Sequence, residues 1–144
     1  MAYSFASNWR RFASFMVDGI ILSTIITKPL SDLIGEPSVE NFTDLFLLDW
    51  GNIVLVTFLV SVINFLYWVS LEYKLQQTLG GLIFNISAKS EKGKLTLTQT
   101  VLRNITKLST ALLIIDSIGI LFSKNKQRFT ERLTKTITLE NEQD

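Results

Sequence analysis

Asn52-Ile53-Val54-Leu55-Val56-Thr57-Phe58-Leu59-Val60-Ser61-Val62-Ile63-Asn64-Phe65-Leu66-Tyr67-Trp68-Val69-Ser70-Leu71 contains no charged residue. It matches the roughly 20 apolar residues that a helix needs to cross a hydrocarbon layer about 30 Å thick. Trp50 stands at one end, and Tyr67, Trp68 and Tyr73 at the other. Amphipathic rings of this kind favour the two membrane interfaces. The stretch therefore predicts a transmembrane helix over residues 52–71. Within it Thr57, Ser61, Asn64, Trp68 and Glu72 recur at helical spacing, which draws a polar stripe down one side of an apolar rod.

Towards the N-terminus, a second apolar run begins behind two arginines and is interrupted by a carboxylate: Arg10-Arg11-Phe12-Ala13-Ser14-Phe15-Met16-Val17-Asp18-Gly19-Ile20-Ile21-Leu22. An ionised group at membrane depth costs about 2.5 to 3.5 kcal/mol on insertion scales, so Asp18 is kept for a partner or a path. The run lacks a small-residue cleavage site before the acidic loop that follows, which argues for a retained helix over about residues 12–30. Arg11 and Asp18, seven positions apart, fall on one face of that helix about 10 Å from each other.

Charge gives a topology. The connection between the two runs holds Asp32, Glu36, Glu40, Asp44 and Asp49 against Lys28 alone, whereas Lys74, Lys89, Lys92 and Lys94 follow the second run. By the positive-inside bias the N-terminus faces the cytoplasm and the protein is a multi-pass component of the cell (inner) membrane. The acidic connection, with Gly35 and Pro37, accommodates a short amphipathic helix near residues 42–48. Residues 82–98 read as a cytoplasmic β-hairpin turning at Gly93, with Thr136-Ile137-Thr138-Leu139-Glu140 as a third strand. A third helical segment, about residues 99–123, precedes a basic tail from 124 to 144. A full crossing there would put Lys124, Lys126, Arg128, Arg132 and Lys135 outside. A re-entrant or amphipathic hairpin, turning at Gly119, keeps them in and is preferred. The fold class is thus an α-helical integral membrane protein with two full spans, a third span or re-entrant segment, and a small β appendage.

The chain has no cysteine and no histidine. That removes disulfides, thiol chemistry and the commonest metal ligand and proton shuttle, and leaves carboxylates for proton transfer near neutral pH. No nucleophile stands with a base, and Gln77-Thr78-Leu79-Gly80-Gly81 is too short for a nucleotide loop, so neither an enzyme nor a cofactor is expected. Gln77, Thr78 and Gly80 read instead as a tight exit from the second helix.

Together, Arg11 (or Arg10) leading the first helix, Asp18 within it, Gln77-Thr78-Leu79-Gly80, the Arg103-Asn104 pair and the tail Lys126-Gln127-Arg128-Phe129-Thr130-Glu131-Arg132-Leu133-Thr134-Lys135-Thr136 resemble the RDD family of small membrane proteins. The resemblance covers nearly the whole chain. The arginine and two aspartates of the family's name correspond to Arg11 or Arg10, Asp18 and the position held here by Glu131, which keeps the carboxylate and adds a methylene. Two further departures are Gly81, where lysine is more frequent, and Gln76, where glycine is usual. The resemblance implies a role in transport of unidentified ligands, with cation/proton antiport attributed to some members.

The residues themselves assemble a polar cluster from Arg10, Arg11, Asp18, Asn64, Glu72, Arg103, Asp116 and Glu131, with Asp18 expected against Asn64 and Ser61 and near Asp116 or Arg103. As packing glue, such contacts contribute about 0.6 to 2 kcal/mol each. This reading makes the protein a structural or accessory subunit whose partners are the bilayer and other membrane subunits. The alternative is an oligomeric ion or small-solute transporter, since two or three helices enclose a path only as a homo-oligomer. The basic residues Arg103, Lys107, Lys124, Lys126, Arg128 and Arg132 are expected at anionic headgroups, at about 1 kcal/mol each. Topology explains them better than nucleic-acid binding does.

Overall fold

The computed structural model describes residues 3–34, 41, 43, 46 and 48–141. Two helices are long and apolar enough to cross a bilayer, Asn8–Leu33 and Trp50–Leu75. Each has 26 residues, about 39 Å at 1.5 Å per residue, and so exceeds the roughly 30 Å of hydrocarbon.

The first begins as α1 (Asn8–Leu22), where the Ser7 hydroxyl accepts the Arg10 amide at 3.4 Å. It widens into a π-helical turn over Ser23–Thr27 and continues as α2 (Lys28–Ile34). Pro29 explains the widening, because it offers no amide to the Ile25 carbonyl and its ring crowds that carbonyl. The second long helix, α3 (Trp50–Leu75), is capped by Asp49, whose carboxylate accepts the Asn52 amide at 3.2 Å. It ends at Gln76 in the left-handed conformation, φ 58°. A short α4 (Leu79–Ile83) follows, started by Thr78, which accepts the Gly81 amide at 3.0 Å.

Three strands form one antiparallel sheet in the order β1 (Tyr3–Phe5), β3 (Thr136–Asn141), β2 (Ile86–Ser90). Phe5 faces Leu139 and Ala88 faces Thr138 in the register. The tail strand thus joins β2 as expected, but the hairpin over residues 82–98 does not form. Ser90 and Gly93 make one isolated bridge, and the chain then enters α5 (Leu97–Asn104). The reason is local: Thr96 accepts the Gln99 amide while the Gln99 side chain accepts the Thr96 amide, a capping box that fixes a helix start.

The third apolar stretch is not one continuous helix. After α5 come a 3₁₀ turn (Ile105–Leu108), an extended Ser109 and α6 (Thr110–Ile118). The nine residues of α6 extend about 13 Å, less than half the hydrocarbon. The chain reverses past Gly119, where a β-carbon would lie 2.8 Å from the Phe129 nitrogen, and α7 (Phe129–Leu133) returns along α6. The amphipathic helix expected near residues 42–48 lies in good part outside the described residues, as do Gly35 and Pro37.

Packing is inverted relative to a water-soluble domain. Val54, Leu55, Phe58, Leu59 and Leu66 on α3 are exposed, while the largest fully buried side chains are Arg103, Glu131, Asn104, Thr100 and Thr136. Apolar surface turned outward suits lipid, and the polar groups are gathered where α5, α7 and β3 meet the ends of the long helices.

Candidate functional site

The buried polar groups form a continuous network. Glu131, fully buried on α7, binds Arg11 of α1 at 2.9 Å, Arg103 of α5 at 3.3 Å and Arg128 at 3.5 Å. It also accepts the Thr138 hydroxyl of β3 at 2.6 Å and the Arg128 backbone amide at 3.1 Å. Arg103 bridges onward, with Nε 2.9 Å from Glu72 of α3. This is a charge contact whose N–H direction makes no hydrogen bond, and Arg103 Nη1 is buried with no hydrogen-bond partner. Glu72 also holds Lys107 Nζ at 3.3 Å and Asn104 Nδ2 at 2.9 Å. At the other end Arg128 lies 3.8 Å from Asp116 of α6. Asp116 accepts the Thr130 amide at 2.7 Å, the Thr130 hydroxyl at 2.8 Å and the Thr106 hydroxyl at 3.1 Å.

The electrostatics follow from this geometry. Burial alone would raise the Glu131 carboxyl, but Arg128, Arg103 and Arg11 outweigh it and hold the group well below the usual carboxylate range. Burial likewise works against the Arg128 cation, and Glu131 and Asp116 reverse it, leaving its affinity for the proton above the ordinary value. Removing one member would strand a buried charge, at a cost of about 3–5 kcal/mol.

Asp18 stands apart from this network. It is 2 % exposed, yet no cation lies within ion-pair distance among the described residues. Its Oδ1 accepts the Tyr67 hydroxyl at 2.8 Å and the Gly80 amide at 2.8 Å. The expected set of Asn64, Ser61 and Asp116 or Arg103 around Asp18 is therefore corrected. The Ser61 hydroxyl turns back to the Thr57 carbonyl at 2.7 Å, and Asn64 Oδ1 is buried without a partner. Arg103 and Asp116 serve the network instead. Gly80 is what permits the Asp18 contact: a β-carbon there would overlap the Ser14 carbonyl oxygen and lie 3.1 Å from Asp18 Cγ. Thr78 and Gly80 thus build the tight exit expected of them, with Gln77, part-buried, immediately before Thr78.

The arginine facing Glu131 is Arg11. Arg10 turns to the surface, 2.8 Å from Glu140 and 3.3 Å from the Phe84 carbonyl. Three basic residues assigned to headgroups, Arg103, Lys107 and Arg128, are instead network members, because the buried Glu72, Glu131 and Asp116 need them. Lys107 also lies 4.9 Å from the centre of the Trp68 ring, which stacks on Phe15 of α1 at 6.0 Å. Sequence reasoning missed Tyr67, Thr130 and Thr138 as ligands of the three carboxylates. A carboxylate between Arg128 and Arg132 was the available hint for Glu131.

A cavity of about 620 Å³ opens against both assemblies. Its lining includes Arg11, Asp18, Arg103 and Lys107 together with apolar residues of α1 and α6 such as Phe12, Phe15, Leu113 and Ile114.

The RDD family model matches residues 5–135. No curated protein and no solved structure matches the chain significantly. The matched range runs from β1 through the Lys135 turn and contains Arg11, Asp18 and Glu131, the residues about which the two assemblies are built. The chain belongs to the RDD family.

Proposed function

We propose that this RDD protein is a structural or accessory subunit of a membrane complex, with its N-terminus and sheet in the cytoplasm and its two long helices as anchors in the cell membrane. One observation carries the reading: the buried charges Glu72, Arg103, Asp116 and Glu131 and the part-buried Arg11, Lys107 and Arg128 are each held by an opposite charge on another element or turn. Charges fixed in this way clamp α5, α7 and β3 to the ends of the long helices and make a rigid platform. The exposed apolar sides of α3 then remain for lipid or neighbouring subunits. The re-entrant arrangement of α5 and α6 agrees with the basic residues after them, which stay on the cytoplasmic side.

A second reading has its own observation. Asp18 lines the cavity with two neutral donors and no cation within ion-pair distance among the described residues, as a carboxylate that exchanges a proton for an ion would. Extraction of the tagged protein in mild detergent at native expression, followed by mass determination and identification of what accompanies it, separates the two. Stoichiometric membrane subunits support the accessory role. A homogeneous homo-oligomer that moves protons in vesicles, and stops doing so as Asp18→Asn, overturns it. A reporter fused after Asp144 tests the topology, with an external signal refuting the re-entrant arrangement.

A further inference from the structure

The cavity between α1 and α6 contains one charge that no partner meets at contact distance. Arg11, Arg103, Lys107 and Arg128 line it, and each lies 2.9–3.8 Å from Glu72, Asp116 or Glu131. Asp18 lines it too, and has no such partner among the described residues. Its hydrogen bonds are one-sided: the Tyr67 hydroxyl and the Gly80 amide both donate to Oδ1, each at 2.8 Å, and neither reaches Oδ2. Nor is Oδ2 one of the enclosed polar atoms left without a partner, which among the described residues belong to Asn64, Trp68, Arg103 and Asn104. An oxygen that is neither bonded nor enclosed keeps open surface, and the space beside Asp18 is the cavity. An ionised oxygen in a poorly hydrated place holds a cationic donor more strongly than a neutral one.

The surroundings of Asp18 select the kind of cation. Phe12 and Phe15 of α1 and Leu113 and Ile114 of α6 line the same cavity. Aromatic faces attract cations, and aliphatic side chains favour hydrocarbon. A divalent metal ion takes about six oxygens or more, and no group of three His, Cys, Asp or Glu side chains able to share one occurs among the described residues. An ammonium group needs fewer acceptors, and its carbon skeleton uses the walls that a bare ion leaves idle. The cavity, at about 620 Å³, falls within the roughly 300–1,000 Å³ of ordinary small-molecule sites.

From these observations we infer that the cavity binds a hydrophobic organic amine, its ammonium on Asp18 Oδ2 and its apolar body between Phe12 and Phe15 on one side and Leu113 and Ile114 on the other. With Asp116 counted, the four cations and four carboxylates of this region balance, so attraction comes from contact with Asp18 and not from a net field. The four cations keep their carboxylates, and Tyr67 and Gly80 keep Oδ1, so the ligand dismantles neither assembly. Binding requires no transport. The inference therefore holds for an accessory subunit, and under the ion-exchange reading it names the class of ion.

The test is calorimetric titration of the full chain in phosphatidylcholine nanodiscs, with empty discs subtracted, using phenethylamine, the neutral phenethyl alcohol and ammonium chloride. The expected result is saturable binding of one phenethylamine per chain, with the alcohol and the bare ammonium ion each weaker by about tenfold or more. Asp18→Asn keeps an Oδ1 for Tyr67 and Gly80 and puts an amide nitrogen, a donor, in place of Oδ2. It should lower the affinity for the amine by about tenfold or more and leave that for the alcohol unchanged. Ile114→Trp, which fills the apolar wall, serves where the first variant fails to fold and should weaken amine and alcohol alike. Absence of saturable binding by the wild-type chain overturns the inference, as does an alcohol that binds as tightly as the amine. Amine binding that survives both substitutions overturns it too. Ammonium chloride bound as tightly as phenethylamine would sink the amine site and leave the ion-exchange reading standing, which separates the two.

Discussion

Gly80→Ala should be among the most damaging single-methyl additions in this protein. The new β-carbon would overlap the Ser14 carbonyl oxygen, which belongs to helix backbone and cannot rotate away. Helix α4 must therefore withdraw from α1, and the 2.8 Å bond from the Gly80 amide to Asp18 goes with it. Overpacking costs about 1–3 kcal/mol, and a lost hydrogen bond to a buried charge about 1.5–3 kcal/mol. Together these give roughly 3–5 kcal/mol, a large share of the 5–15 kcal/mol that holds a typical domain. Gly19→Ala is the control, because nothing lies within 4 Å of its β-carbon and it sits inside a helix. It should be neutral or stabilising by up to about 1 kcal/mol. Unfolding in mixed micelles with increasing sodium dodecyl sulfate, followed by tryptophan fluorescence, reads both, since Trp68 is stacked on Phe15. Equal stabilities for the two variants would refute the close approach of α4 to α1.

Other consequences can be measured in the same micelles. Glu131→Gln should destabilise by about 3–5 kcal/mol, since it leaves the buried guanidinium groups undercompensated. The Glu131 carboxyl is depressed in the fold, so its contribution is complete above the ordinary value of 4.5 and drains away as the pH drops from there towards the folded value. An acid titration should therefore show stability falling below about pH 4.5, and a flatter curve in Glu131→Gln; identical curves would count against the network. Gln76→Gly should stabilise by about 0.5–1 kcal/mol, because φ 58° is strained for a side-chain-bearing residue and free for glycine; lower stability would refute the left-handed exit. Tyr67→Phe should cost about 1–3 kcal/mol by removing one of two donors to Asp18, and no loss at all would mean that the hydroxyl does not reach the carboxylate.

The two long helices were legible because hydropathy and length are local properties, and residues 52–71 satisfy both without a charge. Asp18 was legible as an unusual carboxylate for the same reason, whereas Glu131, in a polar basic tail, stood out through the family resemblance. Their partners were not, because Arg11 and Glu131 are 120 residues apart and no local pattern encodes that pairing. The basic residues Lys107 and Arg128 resembled headgroup ligands because charge alone does not tell an exposed lysine from a buried one. The hairpin was a misreading with a visible correction: Lys94-Leu95-Thr96-Leu97-Thr98 alternates like a strand, yet Thr96 and Gln99 stand at capping-box spacing. The strand at Tyr3–Phe5 is three residues long, too brief for any period to show, and exists because β3 offers it an edge.

That edge sets a schedule for biosynthesis. Phe5 pairs with Leu139, so the strand that precedes the first helix waits for nearly the last described residues to leave the ribosome. At about 5–20 residues per second, Arg11 would spend on the order of 10 s in the insertion machinery or bilayer before Glu131 arrives. During that interval the helix carries Arg11 without its counter-ion, and for the first part of it Asp18 without the Gly80 amide. A chain that stops short of Glu131 would thus display Arg11 unneutralised in its first segment, a ready mark by which quality control could tell an unfinished copy from a finished one.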